Sequence, residues 1–239
     1  MKKFKIPRAH RHVHSRMQGL TLPELLIIVA ITAVLVSLLW PGLGAITEAA
    51  KASRCVANLS QLFIAFQASA ADHNGIISFH RRNAMAIHST RRWNDYLAAG
   101  GYITAESDVQ TCPGALPRRF EVSGFVYGGI GTVSETDEAS FVPDDAEDGA
   151  GRVIRLSAIK QPAGYWLLGD SWSKAYGKQL YAIEAQATPA NGIHLRHRDR
   201  ANLLFADGHV QAMGARELAQ LPVNPLFRGF NRQGRIISF

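Results

Sequence analysis

One stretch governs what this 239-residue chain can fold into: Met17 to Leu39, MQGLTLPELLIIVAITAVLVSLL. From Leu25 to Leu39, 13 of 15 residues are apolar, interrupted only by Thr32 and Ser37, and a single charge, Glu24, stands just before them. Counted from Leu20 the run is 20 residues. At 1.5 Å per residue such a helix covers about 30 Å, the thickness of a hydrocarbon core. The pattern therefore predicts a transmembrane helix over 20–40. A bare carboxylate at mid-bilayer costs about 2.5–3.5 kcal/mol, and less near a helix end, so Glu24 is expected to have a partner and a role.

The leader before it is basic and free of acids: Lys2, Lys3, Lys5, Arg8, Arg11 and Arg16, with His10, His12 and His14. An ordinary secretory signal is cut after its apolar core, at a small-residue site. Here no such site follows the core, while Gly19 precedes it. Gly19, then Leu-Thr-Leu-Pro-Glu, then the apolar run, resembles the class III signal of type IV pilins and type II secretion pseudopilins. The resemblance implies a cut between Gly19 and Leu20, N-methylation of Leu20, and Glu24 as the acidic fifth residue of the mature chain. Leu20 stands where Phe is usual and Pro23 where Ile or Val is. Proline is tolerated there because the amides of a first helical turn lack intrahelical partners. A plain signal anchor is the alternative.

The same resemblance implies the partners: a prepilin peptidase, other pilin or pseudopilin subunits, an inner-membrane assembly platform, and the membrane. It places the chain in the inner membrane as a single pass, with the leader cytoplasmic and the head outside. Charge agrees with that split. The chain has 26 basic and 19 acidic residues, and without the leader's six basic ones the balance is 20 to 19, a net of +1. The basicity thus sits on the side that the positive-inside rule assigns to the cytoplasm. A nucleic-acid partner, which needs a basic patch on the folded domain, is not expected.

Beyond the apolar run, Ala45, Ala49, Ala52, Val56, Leu59, Phe63, Phe66 and Ala70 recur at three- and four-residue steps. That spacing predicts an amphipathic helix over 41–74. Glu48, Lys51, Arg54, Asn58 and Gln61 fall on its opposite face. Pro41, beside Gly42 and Gly44, marks the junction and loosens the helix there, since proline removes a backbone hydrogen bond; pilins resemble the chain in having a Pro at this point. The helix should stop near Asp72-His73-Asn74-Gly75, where Gly supplies a left-handed cap.

Residues 75–239 are enough for one head with its own core. Arg91 to Ala99 reads as a helix stopped by Gly100-Gly101. Glu121 to Tyr127 reads as a strand before a turn at Gly128-Gly129, and Leu156 to Lys160 as one helical turn. Tyr165 to Leu168 reads as an apolar strand. Leu203 to Phe205 and His209 to Ala212 flank Asp207-Gly208, a strong hairpin turn. Arg216 to Leu221 reads as a short helix and Arg235 to Phe239 as a terminal strand. The expected fold is α+β and pilin-like: a long N-terminal helix, transmembrane half then amphipathic half, packed on a small antiparallel-sheet head.

His197, nine residues, then Asp207-Gly208 resembles the spacing that marks a group of prepilin-like proteins. That group tends to show a Cys in the amphipathic helix and a later Cys-Pro pair, here Cys55 and Cys112-Pro113. Two readings of the C-terminal motif stand. His194, His197, Asp199, Asp207 and His209 lie within 16 residues, a donor set suited to zinc or a similar ion. Alternatively Asp207 serves the tight turn and His197 braces the hairpin. A separate calcium option comes from Glu135 to Asp148, with seven acids in 14 residues, although no EF-hand spacing is present. No other cofactor is expected.

Gly169-Asp170-Ser171 resembles the nucleophile block of Gly-Asp-Ser hydrolases, but no Asp-x-x-His follows it to supply a base. It reads as a strand end and turn, and no enzyme activity is expected. Cys55 and Cys112 form either a disulfide, closing 57 positions for about 4 kcal/mol of stabilisation, or two buried free thiols. The functional expectation is a pseudopilin-like structural subunit assembled into a filament. The alternative is a membrane-tethered module that binds polysaccharide or protein, with Trp93, Trp166 and Trp172 as stacking surfaces.

Overall fold

Helix α1 (Leu22–Asp72) begins where Glu24 folds back on the preceding residue. The Thr21 amide donates to Glu24 Oε2 at 2.8 Å and the Thr21 hydroxyl at 2.7 Å, so a helix-start amide with no intrahelical acceptor is satisfied. At the other end Asn74 and Gly75 take φ of +53° and +79°, and the Gly75 amide closes on the Ala70 carbonyl at 2.8 Å. The expected stop is therefore where the helix ends. The structure, a computed structural model, describes residues 21–81, 91–130, 139–141, 152–184 and 190–239. The chain divides into two compact units, Met1–Ala45 and Ile46–Phe239.

The membrane expectation over 20–40 is corrected. Among the described residues no helix is long and apolar enough to cross a membrane. The single-pass inner-membrane localisation falls with it.

In the second unit, the described strands run in chain order as β1 (Ile76–Arg81), β2 (Arg91–Arg92), β3 (Gly128–Ile130), β4 (Ser140–Phe141), β5 (Arg152–Arg155), β6 (Trp166–Gly169) and β7 (Ser171–Ser173). They continue as β8 (Ala182–Ile183), β9 (Asn191–His194), β10 (Ala201–Phe205), β11 (Val210–Met213), β12 (Arg228–Phe230) and β13 (Ile236–Ser238). Short helices α2 (Trp93–Ala99) and α3 (Ala215–Ala219) lie between. They make three sheets, ordered β2-β1-β5-β4, β11-β10-β6-β3-β8 and β13-β12-β9-β7. Two pairings, β3 with β8 and β9 with β12, are parallel.

This overturns the expectation of a long N-terminal helix packed on a small antiparallel-sheet head. The Ile46–Phe239 unit is a mixed α+β body of three sheets, and α1 contributes to its interior. Cys55, Leu59, Leu62 and Phe66 are at most 1% exposed. Phe66 stacks on Phe79 with ring centres 5.6 Å apart and meets Trp93 at 5.8 Å. The buried stripe runs through Cys55 and Leu62 and leaves Ala49 exposed. Asn58, assigned to the polar face, is buried and donates to the Thr111 carbonyl at 2.9 Å. A polar side chain with a fixed backbone acceptor can sit inside, which periodicity of apolar residues does not register.

The strand expected over Glu121 to Tyr127 is instead the loop before β3, and Gly128-Gly129, expected as a turn, begin the strand itself. The hairpin at Asp207-Gly208 forms as β10–β11, with Gly208 at φ +92°.

Candidate functional site

Four side chains far apart in the chain meet inside the second unit. Cys55 comes from α1, and Cys112 from the loop after a 3-10 turn (Asp108–Gln110). Asp170 is the single residue between β6 and β7, and His197 lies in the turn after β9. Their donor atoms all lie within 4.8 Å of one another. Cys112 Sγ is 3.2 Å from His197 Nε2, Cys55 Sγ is 3.4 Å from Asp170 Oδ1, and His197 Nε2 is 3.5 Å from Asp170 Oδ2. Cys55, Cys112 and Asp170 are 0% exposed and His197 is 7% exposed.

Backbone geometry holds each of them. Asp170 sits where the chain leaves the five-stranded sheet for the last four-stranded one. Its amide donates to the Asn202 carbonyl at 3.1 Å, its Oδ2 accepts from the Asn202 amide at 2.8 Å, and its carbonyl accepts from the His194 amide at 2.8 Å. His197 opens a closed turn in which its amide and the Arg200 amide exchange bonds at 2.9 and 3.1 Å, with Arg198 and Asp199 at positive φ. The Cys112 amide donates to Gln179 Oε1 at 3.1 Å. Two residues on, a Cβ on Gly114 would lie 2.8 Å from His197 Cε1, so only glycine lets the imidazole reach the sulfur.

Arg196 adds a fourth kind of group. Its Nη1 lies 3.7 Å from Asp170 Oδ1, and its Nη2 donates to the Ser171 carbonyl. Burial pushes the Asp170 carboxyl up, but the Arg196 and His197 charges outweigh it and hold the group below its ordinary value. For His197, burial works against protonation, yet the Asp170 charge and the Cys112 bond leave it raised. The two thiols divide. Burial and the bond with Cys112 push Cys55 well up, whereas at Cys112 burial is outweighed by the Cys55 bond and the Arg196 charge, leaving it at about 6.

Cys55 and Cys112 are both buried free thiols. Cys55, Cys112, Asp170 and His197 together could hold a metal ion. Two sulfurs and an imidazole are not the all-oxygen shell that calcium takes, so calcium finds no specific support. Most of the acidic stretch 135–148 lies outside the described residues.

The structure does not bring together the expected set His194, His197, Asp207 and His209. Only His197 enters the buried cluster, and it faces Cys112 and Asp170 rather than bracing the hairpin. The His194 ring lies 4.8 Å from Trp172. Asp207 Oδ1 accepts from the His209 amide at 3.1 Å and pairs with His209 Nδ1 at 2.6 Å. Gly208 leans on α1, since a Cβ there would meet Phe63 Cε1 at 2.3 Å. One end of the His-to-Asp-Gly motif therefore faces the Cys55 side of α1 and the other packs beside Phe63.

Asp170 is the functional candidate that sequence reasoning assigned to a plain turn. Its signal was a carboxylate placed one glycine after the apolar run Tyr165 to Leu168, where a buried charge must find partners. Ser171 is fully buried, donating to the Val126 carbonyl at 3.3 Å and accepting from the Leu180 amide at 3.0 Å. Trp93 and Trp166 are core residues, and Trp172 alone of the three tryptophans is only partly buried. Gly19 and Leu20 lie outside the described residues, and α1 runs on as helix through Pro41. No family model matches this chain, and neither a characterised protein nor a solved structure matches it.

Proposed function

We propose that the chain is a prepilin-like structural subunit, cut between Gly19 and Leu20 and assembled with related subunits through the first part of α1. The observation that carries this reading is the surface of Leu22 to Val36. Ten large apolar side chains there are 49–73% exposed, with Ile28 the least and Leu22 the most. A helix segment apolar on every side is stable in water only when something covers it. Helices of the same character on neighbouring subunits supply such a cover, and the burial is favourable at about 25 cal/mol per Å².

Glu24 gives the packing a register. Its carboxylate holds the Thr21 amide and hydroxyl through Oε2, four residues from the amino terminus that cleavage would create. In a water-poor helix bundle that carboxylate requires an opposite charge, and the new ammonium of its own or a neighbouring chain provides one. The role is assembly, with no catalytic step. The rival reading, a binding module with stacking tryptophans, loses Trp93 and Trp166 to the core and keeps only a partly buried Trp172 of its three.

The mature amino terminus decides the matter, mapped by mass spectrometry from cells with and without a prepilin peptidase. A methylated Leu20 that depends on the enzyme is the expected result. An intact Met1, or a cut beyond Leu39, overturns the proposal.

A further inference from the structure

We infer that Cys55, Cys112, Asp170 and His197 form a closed, structural zinc site that staples α1 to the sheets of the second unit. Tetrahedral zinc binds sulfur at about 2.3 Å, and imidazole nitrogen and carboxylate oxygen at about 2.0–2.2 Å, so neighbouring donor atoms stand about 3.3–3.8 Å apart. Cys112 Sγ to His197 Nε2 at 3.2 Å is close to one edge of such a tetrahedron, and the Asp170 carboxylate comes as near to the other two donors, its Oδ1 3.4 Å from Cys55 Sγ and its Oδ2 3.5 Å from His197 Nε2. All four donors lie within 4.8 Å of one another, so closing the last edges needs only small side-chain rotations.

Charge balance selects the ion. Binding displaces one proton from each thiol, leaving two thiolates and the Asp170 carboxylate, three negative charges. A divalent ion and the Arg196 guanidinium, 3.7 Å from Asp170, return the cluster to neutrality with His197 as neutral imidazole. A neutral cluster is what a fully buried position requires. Two thiolates and an imidazole favour zinc over magnesium or calcium. With four protein donors and no exposed face, the site leaves no open coordination position for a substrate, which marks it as structural.

The position gives the ion its role. The donors come from chain positions 55, 112, 170 and 197, so one ion cross-links α1, the Cys112 loop, the β6–β7 link and the turn after β9. Two cysteines and a histidine that the sequence places far apart, Cys55, Cys112 and His197, are thus brought to one centre. This inference stands on the second unit alone and is independent of assembly through the start of α1.

The test uses the full chain, reduced and freed of metal with a chelator, then titrated with Co²⁺ and with Zn²⁺. The expected result is about one cobalt per chain, with the sulfur-to-cobalt charge-transfer absorption and tetrahedral visible bands, displaced by zinc. Cys112→Ser should weaken cobalt binding by about 100-fold or more and remove much of the sulfur band. Reduced wild-type chain that takes up cobalt without a sulfur band, or takes up none, overturns the proposal whether or not the variant folds. So does a variant, folded by circular dichroism, whose band equals that of the wild type.

Discussion

His197 Nε2 lies 3.2 Å from Cys112 Sγ across 85 positions of sequence, inside the second unit and away from the hairpin turn that shares its motif. The nine residues between His197 and Asp207 hold the rest of a tight turn and all of β10. That strand carries Asn202, whose amide and carbonyl pin Asp170. The motif is thus a structural unit: a histidine for the buried cluster, a strand that orients its carboxylate, and a glycine turn that packs beside Phe63.

Asp170→Asn removes a carboxylate from a pocket where Arg196 is only 4% exposed. The guanidinium keeps its charge and loses its counter-charge, a change that costs about 3–5 kcal/mol when a buried pair is broken. Urea unfolding should show that loss as a lower midpoint with an unchanged slope. An equal midpoint would mean that Asp170 does not balance Arg196.

Phe66→Ala should cost about 3–5 kcal/mol, since the ring is 1% exposed and packs on Phe79 and Trp93. Ile64→Ala, on the same helix but 66% exposed, should change stability by less than about 0.5 kcal/mol. Thermal denaturation of the pair checks the face of α1 that is buried; equal losses would place the stripe elsewhere.

Glu217 accepts from the Gly214 amide at 2.6 Å and from Arg200 at 2.7 Å, and these bonds lower its pKa from the usual 4.5. The stabilisation is therefore complete above about pH 4.5 and is lost as pH falls through the lower folded value. Because the side chain is 43% exposed, solvent screens the contribution, and Glu217→Gln should cost about 0.5 kcal/mol at neutral pH. Unfolding curves of the wild type and variant should converge in acid. A difference that persists there would assign the effect to packing.

Glu24→Ala should abolish or misregister incorporation into a filament while the second unit keeps its unfolding midpoint. Co-purification with partner subunits, set beside circular dichroism of the soluble variant, reads both. Normal incorporation would remove the carboxylate from the assembly mechanism.

What the sequence alone determined was local. The stop of α1 at Asn74-Gly75, the hairpin turn at Asp207-Gly208 and the helix end at Gly100-Gly101 depend on backbone sterics within a few residues, and there the residue types are decisive. The apolar spacing also located a buried face on α1 to within one neighbouring row of side chains. The α+β class was legible, but not the three sheets, because parallel pairs such as β9 with β12 join segments that carry no mark of one another. The cluster was decided by tertiary structure. Cys55 and Asp170 are 115 positions apart, and their meeting depends on the strand order that puts the β6–β7 link against α1. Asp170 read as a turn residue because a carboxylate after a strand is, by itself, equally suited to solvent. Only packing reveals that this one is enclosed, and enclosure is what gives the charge, the thiols and the imidazole a reason to be together.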